Sequence, residues 1–255
     1  MRIVKIGGRA QSDPQLTSAL RDAWKKTPGS LCVVHGGGDD ISAMQRALGR
    51  EATFIGGRRV TSREDLELLR MVLSGTVNKR LVNALVAAGL PAVGISGEDG
   101  ALLGADLIDA ATLGFAGRPV AVNADILRIL MKAGYLPVIS PVGFDATSAE
   151  GGALNINGDD AAAAIAVALE ADELLLIADV EGVRDHQREV ISNLSGESAQ
   201  ELIATGVAAD GMAAKLESAY TALLAGVSSV RICDLAGLSD SKRGTRITQS
   251  QSVVL

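Results

Sequence analysis

VVHGGGDD (33–40) joins an apolar run, LCVVH (31–35), to a helical-looking stretch, DDISAMQRALG, through three consecutive glycines. Lacking a Cβ, glycine lets the backbone take unusual dihedrals and press its amides directly against a ligand. A helix N-terminus just behind such a junction favours an anion. A tight turn packing helix on strand accounts for an isolated glycine run equally well, so the surroundings decide.

Outward from this junction the same grammar repeats. Apolar runs at RIVKI (2–6), LCVVH (31–35), PAVGIS (91–96), LPVIS (136–140), ELLLIAD (173–179) and SVRIC (229–233) alternate with helical patterns near 14–26, 39–48, 62–88, 123–133, 159–169, 197–205 and 211–225. Such alternation predicts βαβ units, hence an α/β fold with a mainly parallel sheet covered on both faces. The long helix opens with Thr61 and Ser62 ahead of Glu64 and Asp65, an N-terminal capping signal, and Gly75 in its middle marks a site for a kink. ATFIGGRRV (52–60) reads as a short hairpin turning at Gly56-Gly57, and 101–121 as further hairpin and loop. The expected division is an N-terminal lobe, 1–150, and a C-terminal lobe, 151–255, sharing one continuous sheet.

With 255 residues, 47% of them hydrophobic and 21% charged, the chain can bury a sizeable core. A net charge of −6 and 2% aromatics argue against a nucleic-acid surface, so any anionic ligand must be held by a local cluster. Cys32 and Cys233 lack metal-site spacing and read as buried apolar residues in a reducing compartment. MRIVKIGG enters a strand directly, and no apolar run approaches the roughly 18 residues of a membrane span. These features predict a cytoplasmic protein with no membrane partner.

Open α/β sheets bind ligands beyond the carboxyl ends of their strands. Those junctions here are rich in glycine: Gly7-Gly8, Gly36-Gly37-Gly38, Gly97, Gly143 and Gly182. GxxxxGK[ST] is missing, and no GxGxxG follows the first strand, which removes two common nucleotide cradles. HGGG also occurs as an oxyanion-hole motif, but the chain has no GxSxG elbow and only two histidines, His35 and His186. What remains is phosphate chemistry run by lysine charges and glycine amides. Lys5 lies at the end of a buried strand, a costly place for a charge that has neither partner nor anionic ligand. Lys215 lies in the first turns of DGMAAKLESAYTALLAG. LNINGDD (154–160) adds Asn155, Asn157, Asp159 and Asp160; either aspartate suits a helix cap, or one of them holds two lysines while an asparagine binds a polar substrate group.

In this order the motifs resemble the amino-acid kinase family, and within it the branch that phosphorylates N-acetyl-L-glutamate. The matching stretches are VKIGG (4–8), VVHGGG (33–38), GGRRVT (56–61), MVLSGTVNKRLV (71–82), GISGEDG (94–100), AGYLPVISPVG (133–143), LNINGDDAAAAIA (154–166), LLIADVEGV (175–183), DGMAAKLESA (210–219) and GTRI (244–247). The resemblance implies a three-layer αβα sandwich, with the acyl-amino acid in the first lobe and ATP in the second. The implied reaction moves the γ-phosphoryl group of ATP, carried with Mg²⁺, to the side-chain carboxylate of N-acetyl-L-glutamate in the second step of arginine biosynthesis. It implies that Lys5 and Lys215 stabilise the transferring group and that Asp159 organises them. Gly8, Gly36 and Gly37 become backbone donors, Arg59 the clamp on the substrate α-carboxylate, and Asn155 a substrate contact. Asp179, Val180 and Gly182, with Val207, Ala208, Ala209, Asp210 and Gly211, border the nucleotide. The Asn-x-Asp of AVNADILRIL (121–130) is a decoy, because the LPVIS strand follows it; Asp159 is therefore favoured over Asp125 and Asp160.

Phosphoryl transfer asks mainly for positioning and charge neutralisation, and an acceptor carboxylate is already ionised at neutral pH. A site nearly free of histidine suits it. The chain departs from the family pattern in NGDD and HGGGDD, which add Asp160, Asp39 and Asp40. The early position of Lys5 leads to the expectation of an arginine-insensitive homodimer with the 62–88 helix at its interface. Rival readings are a kinase for N-succinylglutamate, an aminoadipate derivative, aspartate or carbamate, and a non-catalytic sensor of the same fold.

Overall fold

Period-two alternation builds the centre of the molecule. In the computed structural model, which describes residues 1–249, β1 (Arg2–Ile6) sends Ile3 into one apolar cluster and Val4 and Ile6 into another on the opposite face. β2 (Leu31–His35) does the same, with Cys32 and Val34 on the first face and Leu31 and Val33 on the second. Both strands are buried on two sides, which is why they read as continuous apolar runs.

The chain continues through β3 (Phe54–Ile55), β4 (Arg58–Arg59), β5 (Ala92–Ser96), β6 (Leu103–Leu107), β7 (Ala116–Val122), β8 (Leu136–Ser140), β9 (Val142–Asp145), β10 (Ala153–Ile156), β11 (Glu173–Ile177), β12 (Asn193–Ser195), β13 (Val230–Cys233) and β14 (Thr245–Thr248). Between them run α1 (Leu16–Lys26), α2 (Gly38–Ala47), α3 (Arg63–Arg70), α4 (Asn78–Ala87), α5 (Ala110–Leu113), α6 (Ala124–Lys132), α7 (Gly158–Ala168), α8 (Gly196–Ala204) and α9 (Asp210–Leu224). Eight strands form one sheet in the order β12-β14-β13-β11-β1-β2-β8-β5, parallel throughout except where β13 meets β14. Apolar residues of α6, α7 and α9 cover one face and those of α1 and α4 the other, giving the expected three-layer α/β sandwich with a mainly parallel sheet.

Three details differ from the sequence reading. The helix at 62–88 is continuous but changes pitch: α3 passes into a π-helical segment, Met71–Val77, and then into α4, so the expected kink at Gly75 is a widened turn. Ser62 caps α3 by accepting from the Asp65 amide, as its motif indicated. The region 101–121 forms the expected hairpin, β6 paired antiparallel with β7, but this hairpin goes on to close a small barrel with β9 and with β10 from beyond residue 150. Finally, α7 is capped by Asn157, whose side chain accepts from the Asp159 amide, and not by either aspartate. Cys32 and Cys233 are fully buried free thiols, one in each face's cluster.

Candidate active site

The site lies where β1 and β2 end and α2, α7 and α9 begin, around a cavity of about 270 Å³. Lys5 reaches it from β1, the central strand between β11 and β2, on the face covered by α7 and α9. Its ammonium contacts Asp159 Oδ1 at 2.8 Å, and Lys215 on α9 contacts Oδ2 at 2.8 Å. Two small residues make room for the Lys5 side chain: a Cβ at Gly7 would stand 3.0 Å from Nζ, and one at Gly158 would stand 3.1 Å from Cε.

Lys5 is 7% exposed and Asp159 3%. Burial opposes ionisation of the Asp159 carboxyl, but the two lysines overcome it and hold the group down to about 2. Burial is the largest influence on Lys5 and pulls it below the ordinary lysine value, with Asp159 opposing. One carboxylate between two ammonium groups leaves a positive charge uncompensated. Over the cavity wall, Arg58 is neutralised by Asp160, and Lys5, Arg59 and Lys215 face Asp39 and Asp159, three cations against two carboxylates. A chain of net charge −6 thus carries a local cavity built for an anion.

Arg59 enters from the β3–β4 hairpin and is 7% exposed. Its Nη1 donates to Gln45 Oε1 at 2.6 Å, and its Nη2 donates to the Gly38 carbonyl and to Ser42 Oγ, each at 2.9 Å. Phe54 lies 4.6 Å from the guanidinium carbon. These partners are all neutral, and burial draws the guanidinium below its usual value. Three of its five N–H donors are committed, leaving Nε–H and one Nη1–H for a carboxylate. Asn155 on β10 donates to Thr61 Oγ1, which donates to the Arg59 carbonyl; this chain ties the asparagine to the arginine's own backbone.

The glycine junction divides its work. Gly36 lines the cavity, but it donates its amide to the Ile6 carbonyl at 2.9 Å, so the backbone donor expected there is already committed within the fold. At Gly37 a Cβ would lie 2.5 Å from Leu73 Cδ2 of the π-helical segment, so close packing is what requires glycine. Gly38 opens α2, which has no side-chain cap. Behind the junction, fully buried His35 donates from Nδ1 to the Gly36 carbonyl, and its Nε2 accepts from Asn78 Nδ2. Burial lowers this histidine to about 4, in keeping with a neutral ring.

On the far side, α9 begins at Asp210, in a left-handed conformation, behind Ala209, and likewise lacks a side-chain cap. Gly211 and Lys215 line the cavity; Val207 is half-buried, Ala208 buried and Ala209 exposed. Asp179 and Val180 are exposed after β11, and Asp179 lies near enough to raise Lys5. Gly182 is buried, where a Cβ would meet Thr245 Oγ1 at 2.7 Å. Gly8 opens the 3-10 turn Gly8–Ser12, and its contacts lie outside the described residues. Asp125 pairs with Arg128 on an exposed helix face, away from the cavity. Asp40 is held bidentately by Arg80 at 3.0 Å. Ser42 and Gln45, which fix Arg59, escaped the sequence reading; polar residues three apart on a helix point the same way, and that was the available signal.

Among the described residues no cluster of three or more His, Cys, Asp or Glu side chains could cage a metal ion. Asp159 is committed to two lysines. This donor set fits a cation that arrives bound to phosphates.

Residues 1–234 match the model of the amino acid kinase family. An acetylglutamate kinase from Dinoroseobacter shibae is 44% identical over 235 residues, covering 91% of this chain and 80% of that protein. A crystal structure from Streptococcus mutans superposes with a TM-score of 0.87 at 32% identity, over 97% of this chain and 98% of that one. Carbamate kinase from Giardia lamblia, bound to AMP-PNP, superposes at 0.75 over 98% of both chains with 14% identity, a likeness of fold alone.

Proposed function

The chain belongs to the amino acid kinase family, and from that premise we propose that it phosphorylates the side-chain carboxylate of N-acetyl-L-glutamate with ATP, as in arginine biosynthesis. The product is N-acetyl-L-glutamyl 5-phosphate. The observation that carries this reading is the Lys5–Asp159–Lys215 triad and the neutrally partnered Arg59 on the wall of one cavity.

In the reaction a carboxylate oxygen of the acceptor forms a bond to the γ-phosphorus while the bond to the β,γ-bridging oxygen breaks, and ADP leaves with the electron pair. Negative charge shifts between oxygens in this step, and no proton has to move. Lys5 and Lys215 supply fixed positive charge, and ionised Asp159 prevents the two ammonium groups from separating. The acceptor α-carboxylate takes the remaining donors of Arg59, and Asn155 meets its acyl-amide end. The ATP phosphates would carry the Mg²⁺, which when bound would neutralise part of their charge.

The 1–150 lobe provides the acceptor clamp, and the 151–255 lobe holds ATP near Asp179, Val180 and Gly182 and along Val207, Ala208, Ala209, Asp210 and Gly211. The uncapped N-terminus of α9 supports this placement, since its first amides suit phosphate oxygens. The same reading makes the protein a cytoplasmic homodimer. Exposed Met71 and Val86 on the long helix support association, and sedimentation velocity tests it. No helix among the described residues is long and apolar enough to cross a membrane.

An ATP-dependent hydroxamate assay, which traps acyl phosphates, tests the proposal across N-acetylglutamate, N-succinylglutamate, aminoadipate derivatives and carbamate. N-acetylglutamate should be the preferred acid. Turnover of another acid without turnover of this one would overturn the substrate assignment.

A further inference from the structure

Arg58 and Asp160 are the chain neighbours of Arg59 and Asp159, yet the mechanism gives them no work. Alternation along β4 sends Arg58 away from Arg59, and the helical twist sends Asp160 aside from Asp159. The two diverted side chains meet: the Arg58 guanidinium donates to Asp160 Oδ2, across 102 residues of sequence. Asp160 Oδ1 accepts from Ser218 Oγ at 2.7 Å. Ser218 stands three residues after Lys215 on α9 and is 3% exposed.

Consecutive carboxylates of α7 therefore hold two side chains one turn apart on α9, Asp159 gripping Lys215 and Asp160 gripping Ser218. Through Arg58, Asp160 also holds the hairpin that carries Arg59. The hairpin turn leans on the same helix, since a Cβ at Gly57 would be 3.4 Å from Ala214 Cβ and 3.5 Å from the Asp210 carbonyl. The Arg58 and Asp160 side chains are 27% and 17% exposed, so this is no loose surface pair. Ser218 has one hydroxyl proton and a second acceptor in reach, the Ala214 carbonyl at 2.9 Å. Without Asp160 it turns back onto its own helix.

We propose that Arg58, Asp160 and Ser218 form a positioning relay that keeps the acceptor clamp on the hairpin in register with Lys215. This rests on the phosphoryl-transfer reading above. Arg59 fixes one end of the acceptor and Lys215 the phosphoryl group at the other, so misregistration separates the reacting atoms. Displacements of about 1 Å at that step cost up to roughly 100-fold in rate. None of the three residues need touch substrate.

The test combines kinetics with hydrogen–deuterium exchange of the substrate-free protein. In Arg58→Ala and Asp160→Asn, kcat should fall about 10-fold and KM for the acceptor rise several-fold, while KM for ATP stays within about 2-fold. The double variant should be no worse than the worse single one, because both changes break one link. Arg58→Lys should recover part of the loss. Amides of 53–60 should exchange faster in both variants and unchanged in Arg128→Ala, an exposed control. If Arg58→Ala fails to fold, Arg58→Lys and Ser218→Ala carry the same comparison.

Unchanged hairpin exchange, additive losses, or a lowered melting temperature with intact kinetics would each overturn the relay. The exchange arm needs no substrate, so it decides the relay even if N-acetylglutamate is not turned over. That second result would strike the proposed function alone.

Discussion

Lys5 is a charge placed where a strand should carry an apolar residue, and the carboxylate it contacts, Asp159, offsets its burial; on the proposed function it also meets the transferring phosphoryl group. Replacing it with alanine should lower kcat by about 10²–10³-fold, with a smaller effect on either KM, as expected for a group whose charge matters most in the transition state. Full activity in Lys5→Ala would remove the assignment of the triad. On the proposed function Arg59→Ala removes a ground-state clamp instead, and KM for the acceptor should rise by about 10-fold to 100-fold while KM for ATP moves little. Equal effects on both would count against the clamp. His35 makes a prediction about stability. Folding lowers it to about 4, so between pH 6.5 and 4 the unfolded chain takes up a proton that the native chain refuses, and stability falls as pH falls through that window. The loss amounts to up to about 3 kcal/mol. In urea titrations at pH 7 and pH 4.5, His35→Gln should lose less on acidification than the parent, whatever its absolute stability. Lys5 was legible from the cost of a charge on a buried strand, and Asn155 and Asp159 from the LNINGDD junction, whereas Arg59 and the pairing of Lys215 with Lys5 came through the family resemblance. The hydrogen bonds that aim them were not legible, since Gln45 meets Arg59 only after a hairpin and a helix have folded together.

At the level of elements, the π-helical segment Met71–Val77 carries the most consequence for the site. Its wider turns bring Leu73 onto the glycine junction, where a Cβ on Gly37 would overlap it at 2.5 Å. Leu73 is a branched core side chain at 2% exposure, so it has little room to yield. Gly37→Ala should therefore cost about 1–3 kcal/mol of stability by overpacking, measured by denaturant melts, and should lower activity through α2. Helical periodicity announced this helix, its cap and its length, but the change of pitch has no signature in periodicity. The barrel was hidden for a different reason. Gly104, Gly117, Pro119 and Gly143 interrupt its strands, and glycine and proline weaken a strand's own preference; β6 and β7 pair locally as the expected hairpin, but the closure with β9 and β10 joins distant partners that no local pattern announces.

Across the whole molecule, the main sheet was readable because its inner strands are buried on both faces and show as unbroken apolar runs. Its edge was not: β12 and β14 are short and polar, and their pairing is decided by tertiary packing. The cavity joins segments from both halves of the chain, so ligands should tighten the fold globally. At 100 times its dissociation constant, a ligand specific for the native state adds about 2.7 kcal/mol, or roughly 5–10 °C in Tm for a chain of this size. N-acetylglutamate should produce this shift in the parent protein, and the same concentration should produce about half of it or less in Arg59→Ala.

The two thiols offer a way to watch that tightening one layer at a time. Cys32 packs with the α7 and α9 side of the sheet and Cys233 with the α1 side, both fully buried. Burial pushes both well above the ordinary thiol range, Cys233 to about 12, so neither is reactive in the native state. Alkylation of either therefore clocks the opening of its own layer. Peptide mapping after timed labelling would report two independent rates from one unaltered protein. Nucleotide should slow Cys32 more than Cys233 if the bound state stiffens the catalytic face first.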